Sequence, residues 1–524
     1  MKTTVALTGA SGAMGSEALR QVLELPYTRA VVLLRRKPKN IRLAKKLSSR
    51  YGGRVEIIFG DIVSFSDCQK LIEKADYLVH CAALIPPGSD KSPEECENIN
   101  YLGTKNLVDA VLASPRRKTI KYVHISTVAL YGNRNHRHPW GRVGDPLLVS
   151  AYDYYAATKL RAERYVLEAG LEKFVSLRQT AMLHKRMYKN NLNDGLMFHT
   201  AWNVPLEWVT DRDSGLLIKN LVKFDSEGIL PKEFWNKCYN IGGGGCCRVT
   251  GYETFDASFK LMGASVENFF KPYWNAARNF HGLWYSDSDI LNEYLNFRTE
   301  SCRDFWARMA KKYWYFRLGA IVPEKLLSKL VIQRLFKNPN APLYWINCGH
   351  EGRIKAFFGS REAAEELARD WKDFPVLKKG MCEDGAIDYC ALADINGAKE
   401  FKLNHGYDES KPDGELELSD MQSAAAFRGG KCLSESMEKG DLFTKLEWEC
   451  HDGHRFFAAP YTVVKAGHWC PDCCQPAPWK FDRLAKHIPF FAQVWLDTHS
   501  PDEDAVYPIS EDEDDVLFKK AGKK

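Results

Sequence analysis

Residues 4–25 read TVALTGASGAMGSEALRQVLEL, and this stretch decides the fold. An apolar run typical of a buried strand ends at Thr8, a turn with three glycines follows, and a helical pattern begins directly after it. Glycine permits the sharp turn and lets backbone N–H groups approach a pyrophosphate at the start of the helix. The order strand, turn, helix disfavours a turn without a ligand. It predicts a dinucleotide site with candidate contacts from Thr8, Gly9, Ser11, Gly12, Ala13, Met14 and Gly15.

The same alternation continues to about residue 250. Further apolar runs alternate with helical patterns and read AVVLLRR, VEIIFGD, YLVHCAA, KYVHIST and KFVSLRQT. Repeated βαβ units form a parallel sheet with helices on both faces, because the crossovers are right-handed. We therefore predict the α/β class, with a doubly wound parallel Rossmann sheet and a smaller substrate lobe.

The second strand ends in a cluster of cations, Arg35-Arg36-Lys37. At this position an acidic residue would bind the ribose 2′-hydroxyl of NAD, whereas cations favour the 2′-phosphate of NADP. Arg35 and Arg36 are thus candidate cofactor contacts, and NADP(H) is the predicted cofactor. NAD(H) is the alternative, in which the cations form a solvated loop.

A tyrosine and a lysine four residues apart form the candidate catalytic pair. Tyr155 and Lys159 share one face of a predicted helix that begins near Asp153. An ammonium beside a phenol favours the phenolate and lowers the phenol pKa towards neutral pH. A hydroxyl from Thr127 or Ser126, at the end of an earlier strand, can bind the same substrate oxygen.

Six motifs occur in one order: TGASGAMG, GDI, HCAA, NINYLGT, STVALYG and YAATK. Over roughly residues 1 to 250 the chain resembles the extended short-chain dehydrogenase/reductase family, which includes NAD-dependent epimerases and dehydratases. The resemblance implies Tyr155 as acid/base, Lys159 as its activator and ribose ligand, and Thr127 as substrate partner, with Ser126 as the alternative. It also implies a cofactor environment of Asp61, Ile62, Ala82, Ala83 and Asn100.

The resemblance implies hydride transfer between a nicotinamide and a carbonyl carbon, and we predict interconversion of an alcohol and a ketone or aldehyde. The segment LRQTAMLHKRMY departs from the pattern of nucleotide-sugar enzymes. An epimerase or dehydratase with tightly bound NAD(P) is therefore the first alternative. A non-catalytic dinucleotide-binding scaffold with a zinc interaction module is the second.

Two pairs of metal ligands lie near the end of the chain. Cys450 and His454 form the first pair, and Cys470 and Cys473 form the second. Closely spaced pairs suit a tetrahedral Cys₃His zinc site, and four protein ligands indicate a structural site rather than a catalytic one. The pattern resembles zinc-ribbon or treble-clef modules. His451, Cys474 and Cys432 are alternative ligands.

The domain organisation is predicted from changes in composition. Residues 1–265 form the Rossmann domain with its lobe, and 266–375 form a mostly helical extension rich in aromatic residues. That aromatic density is typical of helix core, with a pocket for a bulky, steroid-like substrate as the other interpretation. Residues 376–480 are a linker with the zinc module, and 481–524 are an acidic, partly disordered tail.

Charge and hydropathy exclude several classes of protein. Lys and Arg (73) nearly balance Asp and Glu (67), so nucleic acid is not a predicted partner. No apolar stretch is long enough to span a membrane, and the N-terminus lacks a secretory pattern. We expect a cytoplasmic enzyme with reduced thiols and a small-molecule partner. A homodimer, common in the resembled family, and a protein partner for the zinc module are further expectations.

Overall fold

The structure, a computed structural model, describes residues 2–135, 138–185, 187, 194–261, 263–321, 323–376, 402–474 and 478–507. Parts of the predicted linker (377–401) and of the predicted tail (508–524) lie outside these ranges, as does most of the segment 186–193.

The strands in chain order are β1 Thr3–Thr8, β2 Thr28–Leu34, β3 Val55–Phe59, β4 Tyr77–His80, β5 Lys121–Thr127, β6 Trp140–Gly141, β7 Lys173–Gln179, β8 Met182–Leu183, β9 Pro205–Glu207, β10 Val209–Thr210, β11 Lys237–Ile241, β12 Arg248–Thr250, β13 Trp284–Tyr285, β14 Lys431–Cys432, β15 Leu446–Glu449 and β16 Arg455–Ala458.

The α-helices are α1 Ala13–Val22, α2 Pro38–Tyr51, α3 Phe65–Ile72, α4 Gly88–Lys91, α5 Pro93–Cys96, α6 Gly103–Ala113, α7 Tyr154–Glu168, α8 Asp211–Ser226, α9 Gly251–Lys260, α10 Val266–Phe269, α11 Ser288–Leu295, α12 Cys302–Lys312, α13 Glu324–Leu327, α14 Pro342–Cys348, α15 Glu351–Phe358, α16 Arg361–Glu366, α17 Leu418–Phe427, α18 Pro471–Cys474, α19 Phe481–His487 and α20 Pro489–Trp495.

Seven strands form one parallel sheet in the order β11-β7-β5-β4-β1-β2-β3. Alternate residues point to opposite faces of the sheet, so Ala6 and Leu78 join one hydrophobic cluster while Leu7 and Val79 join the other. Both faces are therefore buried beneath helices, which confirms the doubly wound Rossmann fold. The strand order reverses between β1 and β4, and ligands bind outside the carboxyl ends of the strands at such a point.

Short helices dominate residues 266–376, between the lobe and the linker. Phe269, Phe270 and Trp274 are buried there, and the Trp274 ring lies 4.8 Å from that of Phe336. These aromatic side chains form core, as the composition indicated.

The chain is folded through residue 507 rather than forming a tail from residue 481. Helices α19 and α20 bury Phe481, Phe491 and Trp495 at 3% exposure or less. Apolar side chains at helical spacing explain this difference, since their burial outweighs the acidic composition that follows them.

Among the helices that the structure describes, none combines the length and the apolar character that crossing a bilayer requires.

Candidate active site and metal centre

The glycine turn after β1 has the geometry that a bound pyrophosphate needs. Gly9 has a φ of +74°, and a Cβ there would lie 2.7 Å from the backbone nitrogen of Ala82. A Cβ on Gly15 would lie 2.4 Å from the Gly9 carbonyl oxygen, so this glycine lets α1 approach β1 closely. Helix α1 starts after Gly12 without a side-chain cap, which leaves its first N–H groups for an anion.

A cavity of about 310 Å³ opens at this turn. Nine of the predicted cofactor contacts line it: Thr8, Gly9, Ser11, Gly12, Arg35, Asp61, Ile62, Ala82 and Ala83. Sequence reasoning missed Lys39, Asn40 and Leu84, which also line it. The first two follow the Arg35 cluster at the start of α2, so their position after β2 was the signal that could have found them.

Seven predicted cofactor residues lie outside the lining of this cavity: Ala13, Met14, Gly15, Arg36, Asn100, Tyr155 and Lys159. The Arg36 guanidinium instead lies over the Phe59 ring, 4.8 Å from its centroid. Arg35 is the better placed cation, because its side chain is 41% exposed and forms only a long 3.5 Å ion pair with Glu95 among the salt bridges of the described residues. The Asn40 amide donates to the Arg35 carbonyl (2.8 Å) and fixes this turn.

The expectation that Gly15 controls the turn can be tested with its smallest substitution. Gly15→Ala places a methyl group against the Gly9 backbone, so α1 must move away from β1. We expect a lower melting temperature, since overpacking costs ~1–3 kcal/mol, together with weaker dinucleotide binding measured by fluorescence titration. The control is Gly53→Ala, where a Cβ meets nothing within 4 Å. Equal behaviour of the two variants would contradict this role.

Helix α7 brings Tyr155 and Lys159 to the carboxyl edge of the sheet. The Asp153 side chain caps the helix by accepting from the Ala156 N–H (2.9 Å). The Lys159 ammonium donates to the Ile125 carbonyl (2.7 Å) and lies 3.5 Å from Nε2 of His124. The pair therefore lies beside the end of β5, on the same edge as the cavity.

The hydroxyl next to the tyrosine is that of Thr127. The Thr127 hydroxyl is close enough to the Tyr155 phenol to oppose the rise that burial causes in its pKa. It also accepts from the Ala129 N–H (3.1 Å). Ser126, the alternative, has a buried Oγ without a hydrogen-bond partner among the described residues. Thr127 and Tyr155 thus lie close together at the end of β5, and Lys159, one helical turn along α7, reaches the same strand at Ile125.

Burial dominates the proton affinities of the pair. It raises the pKa of Tyr155 to about 12, the reverse of the direction expected from a neighbouring cation. It lowers the pKa of Lys159 to about 8, and the negative charge of Glu163 opposes that shift. At neutral pH the pair therefore consists of a protonated phenol and a mostly protonated amine.

Two buried histidines beneath the site were not predicted. His80 and His124 are partners in the β4–β5 register, and their rings lie 5.8 Å apart. His80 contacts Thr8 Oγ1 (2.7 Å) through Nδ1 and Thr104 Oγ1 (3.0 Å) through Nε2. Burial lowers the pKa of His80 to about 3, so its ring is neutral. The shared ending of YLVH and KYVH was the signal in the sequence.

Asn100, which the resemblance placed in the cofactor environment, forms a set of hydrogen bonds beside the cavity. Its side chain accepts from the Leu84 N–H (2.7 Å) and donates to the Leu84 carbonyl (3.0 Å). It also donates to Thr158 Oγ1 (3.1 Å), beside Lys159. Asn100 thus ties the loop after β4, which lines the cavity, to the helix that carries the catalytic pair.

The four predicted zinc ligands lie together in space. Cys450, His454, Cys470 and Cys473 place their ligand atoms within 4.8 Å of one another. The Cys450 sulfur lies 3.5 Å from His454 Nδ1 and 3.5 Å from the Cys473 sulfur, and Cys470 lies 3.8 Å from that Nδ1. A zinc tetrahedron with Zn–S and Zn–N bonds has edges of about 3.5–3.8 Å, so this donor set fits zinc.

Two of the alternative ligands named from the sequence, His451 and Cys432, lie outside this group. His451 stacks on His487, with ring centroids 4.5 Å apart, and Cys432 belongs to β14. The side chain of Cys474 lies outside the described residues. Around the cluster, Trp448 is fully buried and donates from Nε1 to the Ala458 carbonyl (2.9 Å).

Fold and site together define a dinucleotide-binding Rossmann domain with a Tyr-x-x-x-Lys helix at its ligand edge. The sequence profile of the NAD dependent epimerase/dehydratase family matches residues 5–199, less than half of the 524 residues. This match covers the glycine turn, the cavity and the Tyr155–Lys159 helix.

Curated relatives match about a third of the chain. Rat 3 beta-hydroxysteroid dehydrogenase type 7 is 26% identical over 172 residues, which is 32% of this chain and 48% of the relative. Human sterol-4-alpha-carboxylate 3-dehydrogenase, decarboxylating, is 26% identical over 161 residues, 31% of this chain and 38% of that protein. The capsular polysaccharide biosynthesis protein CapD of Staphylococcus aureus is 26% identical over 167 residues, 31% and 27% of the two chains. The chain thus spans less than half the length of these relatives.

Among solved structures, UDP-glucuronic acid 4-epimerase from Bacillus cereus, in complex with UDP-glucuronic acid and NAD, is 20% identical and has a TM-score of 0.47. The likeness covers 59% of this chain and 98% of that one.

Proposed function

We propose that the chain is an NADP(H)-dependent oxidoreductase that interconverts an alcohol and a ketone or aldehyde. The observation that carries the proposal is the position of three side chains at the carboxyl end of β5, on the sheet edge where the cavity opens. The buried Lys159 donates to the Ile125 carbonyl (2.7 Å), Thr127 ends the strand, and Tyr155 lies close to Thr127. When bound, the nicotinamide supplies or accepts the hydride of the carbonyl carbon.

Proton transfer is assigned to Tyr155. In reduction its phenol gives a proton to the substrate oxygen while Thr127 donates a hydrogen bond to that oxygen. The protonated Lys159 stabilises the tyrosinate that remains. Because the pKa of Lys159 is about 8, we expect the rate of reduction to fall as the pH rises through that value, measured as a pH profile of kcat/KM.

The substrate is proposed to be bulky and apolar. Two of the curated relatives are named as dehydrogenases of hydroxysteroids or sterol carboxylates, and this similarity supports the proposal. The zinc cluster is proposed to be structural, because four protein ligands leave no open coordination position.

An epimerase or dehydratase that keeps its cofactor through a closed redox cycle is the second candidate. The family profile and the match to CapD favour it. One experiment separates the two: the protein is mixed with NADPH and a panel of ketones and aldehydes, steroid ketones included, and absorbance at the nicotinamide band is followed. Net NADPH consumption supports the oxidoreductase. Absence of consumption across the panel, together with conversion of a nucleotide sugar, would establish the second candidate.

The cofactor preference is proposed to depend on Arg35. We expect Arg35→Ala to weaken NADPH binding by about tenfold or more with little effect on NADH, because a hydrogen bond to a charged group contributes ~1.5–3 kcal/mol. Fluorescence titration with both cofactors measures this. Arg36→Ala is the matched control, since Arg36 packs on Phe59 outside the cavity lining. An unchanged NADPH to NADH ratio in Arg35→Ala would favour the alternative, NAD(H).

A further inference from the structure

Glu163 carries a buried carboxylate one helical turn beyond Lys159. It pairs with Arg178 of β7, with Oε1 and Nη2 2.7 Å apart and both side chains fully buried. Ser176 donates to its second oxygen (2.9 Å). A buried ion pair recovers little net stability after desolvation, so its presence calls for a role in fixing geometry.

Within the Rossmann domain the Tyr131 hydroxyl also accepts from Arg178 Nη1 (2.9 Å). Two further partners of the pair come from the C-terminal module that carries the Cys₃His group, about 300 residues further along the chain. His468 Nε2 lies 3.0 Å from Glu163 Oε1 and donates to it, because a carboxylate can only accept. The Ala466 carbonyl accepts from Arg178 Nη2 (2.7 Å). His468 stands two residues before the zinc ligand Cys470, so the cluster and the ion pair share one short segment.

Further contacts hold the module against the same helix. Arg164 donates to the Trp469 carbonyl, and the Ala459 N–H donates to the Glu168 carboxylate (3.1 Å). The Tyr461 hydroxyl accepts from the Cys238 N–H of β11 (2.7 Å). The module thus contacts α7 along residues 163–168, directly behind the catalytic pair.

We infer that the C-terminal module positions the catalytic helix: His468 and the Ala466 carbonyl hold the Glu163–Arg178 pair, which fixes α7 and hence Lys159 and Tyr155. This inference rests on the proposed function. Glu163 and His468 are positioning residues, since neither reaches the reacting atoms. Burial lowers the pKa of Lys159, and the negative charge of Glu163 opposes that shift.

His468→Ala, His468→Gln and Lys445→Ala form the test set, with the whole chain used throughout. His468→Ala removes the donor, and His468→Gln keeps an N–H that can reach Glu163. Lys445→Ala is the control, because it breaks a 3.3 Å surface ion pair with Glu168 at the far end of α7. The first measurement is amide hydrogen exchange of peptides covering residues 154–163, followed by mass spectrometry. It reports how firmly α7 is held and does not depend on enzyme activity. kcat and KM are measured alongside.

We expect His468→Ala to speed exchange over 154–163 and to lower kcat by about tenfold or more, because small displacements of catalytic groups are costly. His468→Gln should restore most of both, and Lys445→Ala should match the wild type. Wild-type exchange in His468→Ala would overturn the inference. So would faster exchange accompanied by an unchanged kcat, since the contact would then be merely structural.

A pH profile separates positioning from general stability. The titratable groups that face Lys159 are His80, Cys81, Cys96, His124 and Glu163. Of these groups, Glu163 raises the pKa of Lys159 most through its negative charge. Glu163→Gln removes that charge and should lower the pKa of Lys159, so the alkaline limb of the reduction profile should move to lower pH. An unmoved limb would overturn the electrostatic part of the inference. Should the wild type reduce no carbonyl, the proposed function fails, while the exchange data and the affinity for NADPH still decide the positional inference.

Discussion

Tyr155→Phe should lower carbonyl reduction by about 10²–10⁴-fold, because the proton donor to the substrate oxygen is lost while the ring keeps its place on α7. Steady-state kinetics with NADPH measure the loss. NADPH affinity and the melting temperature should stay near the wild-type values, since the substitution removes only the hydroxyl beside Thr127.

The neighbouring tyrosine supplies the control for this prediction. Tyr154 is buried at 5% exposure, and its ring packs edge-on against that of Trp479, 6.0 Å away. Tyr154→Phe should therefore retain most of the turnover. Full activity in Tyr155→Phe would remove the acid/base assignment.

Removal of zinc should have the largest effect on stability. We expect one zinc per chain, and we expect Cys470→Ser to lose it and to lower the melting temperature strongly, because structural zinc contributes ~10–16 kcal/mol of binding free energy in small modules. Metal analysis by mass spectrometry and thermal unfolding measure the two effects.

Cys432→Ser is the matched control for the metal site. Cys432 is buried in the same module but lies outside the four-ligand group. Its substitution should leave the zinc content unchanged. Zinc retained in Cys470→Ser, or lost in Cys432→Ser, would require a different set of ligands.

The parallel sheet and the position of the predicted cofactor cavity could be predicted from short-range sequence patterns. Residues 4–25 contain a strand, a turn and a helix in immediate succession, and each is specified by neighbours in sequence. Since the carboxyl ends of parallel strands meet at one edge, residues such as Arg35, Asp61 and Ala82 could be placed there from strand order alone.

The features that the sequence did not predict depend on packing between residues far apart in the chain. The His468–Glu163 contact joins residues 305 positions apart, and no periodicity links them. The pKa of Tyr155 was expected to fall because Lys159 is near in sequence, whereas burial by distant segments raises it. Likewise, the acidic composition after residue 500 led to the prediction of a tail from residue 481. Residues 481–495 instead form two helices, which their buried apolar faces stabilise.

The group of three cysteines and one histidine could be predicted to lie together because the spacing of metal-ligand pairs is local and strict. Two short pairs, Cys450 with His454 and Cys470 with Cys473, each come together within one turn of chain. The contact between this module and α7 could not be predicted from the sequence, because the surface to which the module binds exists only in the folded protein.

The position of the cofactor relative to Tyr155 can be measured by determining a crystal structure from crystals of this protein soaked with NADP⁺. We expect the pyrophosphate at the N-terminus of α1, the 2′-phosphate beside Arg35, and the nicotinamide ring next to the Tyr155 hydroxyl, with Lys159 at the ribose. A dinucleotide bound with its nicotinamide away from Tyr155, or an empty cavity at saturating NADP⁺, would contradict this expectation.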